Sequence, residues 1–114
     1  MFVVLRYNVG SAGVVEFLAE AEAAIEVLST RPGFVRGTVG QAIDGAGQMT
    51  LLLEFSEVGT YRRALSNYDV KITAVPLLSR AIDEPSAHEL LHSRGSEGTI
   101  DRQSSIAPER PRFS

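Results

Sequence analysis

MTLLLEF, Met49 to Phe55, is the most apolar run in this 114-residue chain, with Glu54 its only charge. Seven residues is the length of a strand and too short to span a membrane. Apolarity without interruption suits a central strand covered on both faces. The remaining segments read as elements that pair with this strand or cover it.

Upstream, Phe2 to Val9 reads as a strand, with Val3, Leu5, Tyr7 and Val9 on one face and Phe2, Val4, Arg6 and Asn8 on the other. Gly10, Ser11 and Gly13 supply turn chemistry. Val14 to Leu28 has helical spacing, with Val14, Phe17, Leu18, Ala21, Ile25 and Leu28 forming one stripe. Glu16, Glu20, Glu22 and Glu26 fall largely off that stripe and read as a solvated face. Pro32 and Gly33 end the helix, and Phe34 to Ile43 is a second strand in which Gly37 and Gly40 mark a bulge or a close approach by a neighbour. Asp44 to Gly47 closes a hairpin onto MTLLLEF.

Downstream, Ser56 or Thr60 caps a helix that carries Val58, Tyr61, Ala64, Leu65 and Tyr68 on one side. Asp69 is the expected cap of a further segment, Val70 to Ile82, which Pro76 must kink or break. Ala87 to Leu91 is a short last strand. From Ser93 to Ser114 the composition turns polar, with Ile100, Ile106 and Phe113 scattered through it. That stretch is expected to be a disordered tail or an arm that orders against a partner subunit, leaving residues 1–92 as one domain.

Strand, helix, strand, strand, helix, strand is the ferredoxin-like βαββαβ order of an α+β domain: a four-stranded antiparallel sheet with helices on one face. Apolar residues on both faces of the first and third strands then predict a second sheet against the bare face, and so a homodimer.

Composition bounds the function. The formal charge is −3, which argues against nucleic acid, since phosphate binding needs a concentrated basic surface. No cysteine is present, which removes disulfides, thiolate nucleophiles and Cys-based zinc sites. Without a membrane-length apolar run or a signal-like start, the expectation is a soluble cytoplasmic protein with no membrane partner.

Three features could carry chemistry. HELLH, His88 to His92, matches the zinc-peptidase pattern, in which Glu89 would activate a metal-bound water. That needs a helix. On a strand the histidines would stand about 13 Å apart, too far for one metal. The position of a third ligand in the longer pattern is Gly98, so the expectation is no metal. Arg6 and Asn8 share a strand face and can both donate to a negatively charged oxygen, or can simply mark the solvated end of the strand. Tyr61 and Tyr68, seven apart on one helix face, either pack in the core or line a pocket between helix and sheet.

RPGFVRGTVGQAID, MTLLLEFSEVGTYRRAL and YDVKITAVPLLSRAIDEPSAHELL resemble antibiotic biosynthesis monooxygenase domain proteins of the dimeric α+β barrel superfamily. The resemblance covers Phe2 to Leu91 and implies a homodimer whose sheets pack together, with SAHELL as the last strand. It implies a cofactor-independent monooxygenase that oxidises a small aromatic, phenolic or polyketide-like metabolite: a phenol loses its proton, and the electron-rich anion passes an electron to oxygen in a dry pocket. On that reading Asn8 and Arg6 are the catalytic residues holding the oxyanion, and Tyr61 and Tyr68 bind substrate. Family members commonly use tryptophan, which this chain lacks. Haem-degrading relatives carry a Trp and a His where this chain has Ala64 and Ala74, which argues against haem. A ligand-binding or cyclase-like barrel and, remotely, a zinc hydrolase are the alternatives.

Overall fold

The computed structural model describes residues 1–101. The elements are β1 (Phe2–Asn8), a single 3-10 turn (Ser11–Gly13), α1 (Val14–Ser29), β2 (Phe34–Gln41), β3 (Gln48–Phe55), α2 (Val58–Leu65), α3 (Tyr68–Thr73), α4 (Val75–Leu78), β4 (Ala87–His88), β5 (His92–Gly95) and β6 (Gly98–Asp101). The main sheet runs β2-β3-β1-β4 and every neighbouring pair is antiparallel. This is the ferredoxin-like α+β arrangement, with MTLLLEF in one of its two central strands.

Register decides which side chains meet. Val3 lies opposite Leu53, Leu5 opposite Leu51 and Tyr7 opposite Met49, so one face of β1 and β3 forms a continuous apolar surface. All six are buried there, beside Phe55, under Phe17, Ala21, Ala24 and Leu28 of α1. Burying a side chain the size of Leu51 or Leu53 stabilises the fold by roughly 1.5–3 kcal/mol. Alanines at 21 and 24 let the α1 backbone come close to the sheet. Gly37 serves the same purpose from β2: a Cβ there would stand 2.8 Å from the Ile25 side chain. The close approach expected at Gly37 is thus made by α1. On the buried stripe of α1, Ala24 takes the place expected for Leu18, which is 40% exposed. The β2–β3 turn is held by Gly47, whose φ of 85° and proximity to the Gly10 backbone exclude a side chain.

The second helical stretch differs most from expectation. Thr60 Oγ1 accepts from the Glu57 N–H and donates to the Glu57 carbonyl, so α2 starts at Val58 behind Glu57 rather than behind a Ser56 cap. α2 stops at Leu65. Asn67, not Asp69, caps α3, its side-chain oxygen accepting from the Val70 N–H at 3.2 Å. Ala74 separates α3 from α4, with Pro76 in the first turn of α4, where its missing N–H costs nothing. The helical stretch ends at Leu78, short of the expected Ile82. Tyr7 ties this region to the sheet: its hydroxyl donates to the Leu77 carbonyl at 3.0 Å, and burial pushes its pKa up to about 12.

Beyond α4 the chain runs back along the free edge of β1. Ile82 N–H donates to the Arg6 carbonyl and Val4 N–H to the Ser86 carbonyl. The regular strand β4 starts at Ala87 as expected but is only two residues long, shorter than Ala87 to Leu91, because His88 already faces Phe2, the first residue of β1, and the antiparallel ladder has no strand partner beyond it. From His92 to Asp101, at the start of the expected polar tail, the chain forms a small hairpin, β5 on β6, exposed along its whole length. The rest of that tail, with Ile106 and Phe113, lies outside the described residues.

The sheet face away from the helices carries Phe2, Val4, Arg6 and Asn8 from β1 and Gln48, Thr50, Leu52 and Glu54 from β3. Phe2, Val4 and Leu52 are half-buried there without helical cover.

Candidate functional site

The second helical stretch is broken into three short pieces, and a hollow lies where they meet β1. Leu5 of β1 forms its floor, and Leu65, Val75 and Leu78 are its apolar walls. Tyr61, Lys71, Ser79 and Ser86 complete the lining, in a volume of about 560 Å³. Sites for small organic molecules are typically of this size and this largely apolar character, with a few polar groups to orient the ligand.

Tyr61 is held by its ring, which packs against Phe55 at 5.4 Å between centroids. Burial raises the pKa of its phenol, so the group stays protonated at neutral pH and can donate a hydrogen bond. Among the described residues its hydroxyl has no hydrogen-bond partner. Lys71 is the only charged side chain lining the hollow among the described residues, and the only lysine in the chain. Neither a carboxylate nor a histidine lines this space among the described residues.

A second hollow, about 460 Å³, lies at the end of the sheet where β1 finishes and β3 begins, lined by Arg6, Asn8, Gln41, Gln48 and Thr50 among others. Its cation is committed elsewhere. Arg6 donates from Nε at 2.7 Å and from Nη2 at 2.8 Å to the two carboxylate oxygens of Glu84. That pairing raises the arginine pKa and holds the Glu84 carboxyl below its usual range. The Gln41 side chain accepts from the Gly47 N–H.

The four residues singled out in the sequence are not brought together. Arg6 and Asn8 point away from the helices, and Tyr61 points into the hollow beneath them. Tyr68 is 74% exposed and lines neither space. The seven-residue spacing would align Tyr61 and Tyr68 only on one continuous helix, and the chain turns between them at Ser66 and Asn67. Lys71, Val75 and Leu78 were not singled out. The signal open to the sequence was a lone lysine beside an apolar pair straddling Pro76.

HELLH is not helical. His88 ends β4, its ring stacked on Phe2 at 5.1 Å and its Nδ1 2.8 Å from the Ser86 carbonyl. His92 begins β5 and its Nδ1 contacts the Asp101 carboxylate across the hairpin. The shared histidine face that H-E-x-x-H chemistry requires is therefore missing. Among the described residues no cluster of three His, Asp or Glu side chains is placed to hold a metal ion. No described helix is long and apolar enough to cross a membrane.

No protein-family model and no curated protein matches the chain. Solved structures do. SnoaB, a cofactor-independent oxygenase from Streptomyces nogalater, aligns in a variant form with a TM-score of 0.63 and 22% identity, over 95% of this chain and 96% of that one. A conserved protein from Methanosarcina mazei Go1 aligns at 0.60 and 24% identity, over 75% and 84% of the two chains. An antibiotic biosynthesis monooxygenase aligns at 0.57 and 8% identity, over 92% and 98%. The structural neighbours of this chain thus include antibiotic biosynthesis monooxygenases, and the fold is the one these proteins share.

Proposed function

We propose that this chain is a homodimeric, cofactor-independent monooxygenase acting on a small aromatic substrate, a phenol or polyketide-like ring system, in the hollow beneath α2 to α4. The observation that carries the reading is that hollow: a largely apolar space of about 560 Å³ lined by Tyr61, whose protonated phenol has no hydrogen-bond partner among the described residues. It lies in a fold shared with an oxygenase that works without a cofactor.

In such chemistry the substrate supplies the electrons. Its ring anion reduces dioxygen, one oxygen atom enters the ring carbon, and the other leaves as water with the two hydrogens the substrate loses, one from the phenol and one from the ring carbon, or both from the methylene of an anthrone. The protein's share is orientation, exclusion of water and stabilisation of the substrate anion. Leu5, Leu65, Val75 and Leu78 supply the apolar walls, and the Tyr61 hydroxyl supplies a donor to the substrate oxygen. On this reading Arg6 and Asn8 belong to the opposite face and Tyr68 to the outer surface, so none of the three touches substrate.

Oxygen uptake by the purified protein with a panel of hydroxyanthracenes and 1,8-dihydroxyanthrone tests the proposal. Wild type is expected to consume oxygen and form the quinone. Tyr61→Phe is expected to be slower by roughly a hundred- to a thousandfold, the usual cost of losing a donor to a developing oxyanion. A loss confined to Asn8→Ala would place the chemistry on the other face of the sheet.

One observation favours a second reading. With neither a carboxylate nor a histidine lining the hollow among the described residues, no described side chain there is an evident general base. A barrel that binds a small ligand without oxidising it, or that templates a cyclisation, needs none. Saturable binding of the same compounds without oxygen uptake would select it.

The homodimer rests on the helix-free face. Phe2, Val4 and Leu52 form an apolar strip across β1 and β3 that no described helix covers, with only the His88 ring stacked on Phe2. A second copy placed face to face would bury it with the same residues contributed from both sides.

A further inference from the structure

We propose that Lys71 makes the hollow selective for aromatic ligands that carry an acidic group, a carboxylate or an ionised phenol, held at its mouth. The proposal rests on the reading of the hollow as the ligand site and adds the class of ligand it takes.

The lining is chemically lopsided. Leu5, Leu65, Val75 and Leu78 offer a ring system nothing but apolar contact. Lys71 is exposed at the rim of the same space, on α3, and is the only ammonium side chain in the protein. Among the described residues it forms no ion pair; Arg31, Arg36, Arg62 and Arg94 form none either, but Lys71 alone of these lines the hollow. The α3 fold explains its position. Val70, the neighbour of Lys71, is fully buried and anchors the helix on the core, and Asn67 fixes the first turn by accepting from the Val70 N–H. Lys71 is thereby held beside the opening, with the side chain's own flexibility left for reaching a ligand.

A neutral aromatic would occupy this space and leave the ammonium in water. An aromatic acid would place its ring against the leucines and its charge against Lys71, with the Tyr61 hydroxyl able to donate to the same oxygens. Lys71 is exposed, so the contact has the strength of a good surface ion pair, screened by salt, and adds to the apolar contact of the ring. For a phenolic substrate the same contact favours the anion over the neutral phenol, which substitutes in part for a general base.

Two probes of matched shape separate charge from fit: 2-naphthoate and its neutral isostere 2-naphthamide, titrated by calorimetry. Wild type is expected to bind the acid roughly five- to tenfold more tightly than the amide, a preference that shrinks in 1 M salt. Lys71→Met is expected to bring the two affinities within about twofold of each other without weakening the amide, and Lys71→Arg to restore most of the preference. Equal affinities in wild type, or a preference that survives in Lys71→Met, would overturn the role of Lys71 and leave the hollow standing as a ligand site. Failure of both probes to bind would overturn the hollow itself, and the selectivity with it.

Discussion

Leu53→Ala is expected to lower the unfolding free energy by about 3 kcal/mol, with values up to about 5 if the space left behind cannot collapse. Leu53 is completely buried, in a central strand, opposite Val3 and on the face packed by α1. Its neighbours on the same face, Leu51 and Phe55, are anchored by their own strand pairing and are not free to fill the gap. Against a total stability of roughly 5–15 kcal/mol for a domain of ordinary size, the loss is a large fraction. Urea unfolding at one fixed protein concentration measures it, the concentration being held because association adds to apparent stability. A loss below about 1 kcal/mol would mean that MTLLLEF is not at the centre of the core.

Leu52→Arg is expected to act on assembly rather than on folding. Leu52 is adjacent to Leu53 but points to the helix-free face, next to Val4. In the proposed homodimer each interface would gain two buried guanidinium groups related by symmetry and without a designed partner. Burying unpaired charge costs several kcal/mol per ion, enough to convert a micromolar or tighter dimer into monomer. Sedimentation equilibrium is expected to show a dimer for wild type and a monomer for Leu52→Arg, with the same far-ultraviolet circular dichroism for both. A wild-type monomer at tens of micromolar would remove the homodimer from the proposed function.

The contrast between these neighbouring leucines shows what was legible in the chain. Alternation along Phe2 to Val9 and unbroken apolarity along Met49 to Phe55 are local properties, and they place both strands within a residue of where they lie, while which face of each turns inward is settled only by the helices. Pro76 was a local signal too, and a break does occur next to it. The cap of α3 was read two residues late because Asn67 and Asp69 are both good cap residues, and the choice depends on which start buries Val70. The last strand was read too long because apolar residues at Leu90 and Leu91 suggested pairing that the described chain does not make.

The site was less legible than the fold for a physical reason. Leu5 meets Val75 and Leu78 across seventy residues of chain, and Arg6 meets Glu84 across a comparable distance. Neither meeting leaves a periodic trace in the sequence. Arg6 looked available for an oxyanion because its partner was invisible. Tyr61 and Tyr68 looked like a pair because the turn at Ser66 and Asn67 was not seen. Tyr61 remains in the proposed site because its position on α2 depends only on local helix geometry and its contact with Phe55.

The most direct test of the ligand site is a titration of the methyl-labelled leucine and valine protein with 2-naphthol, followed by NMR. Saturable shifts confined to the methyls of Leu5, Leu65, Val75 and Leu78, and abolished in Leu78→Trp, are the predicted result. Shifts at Val4 and Leu52 on the other face of the sheet, or no saturable shift at any of these methyls, would contradict it.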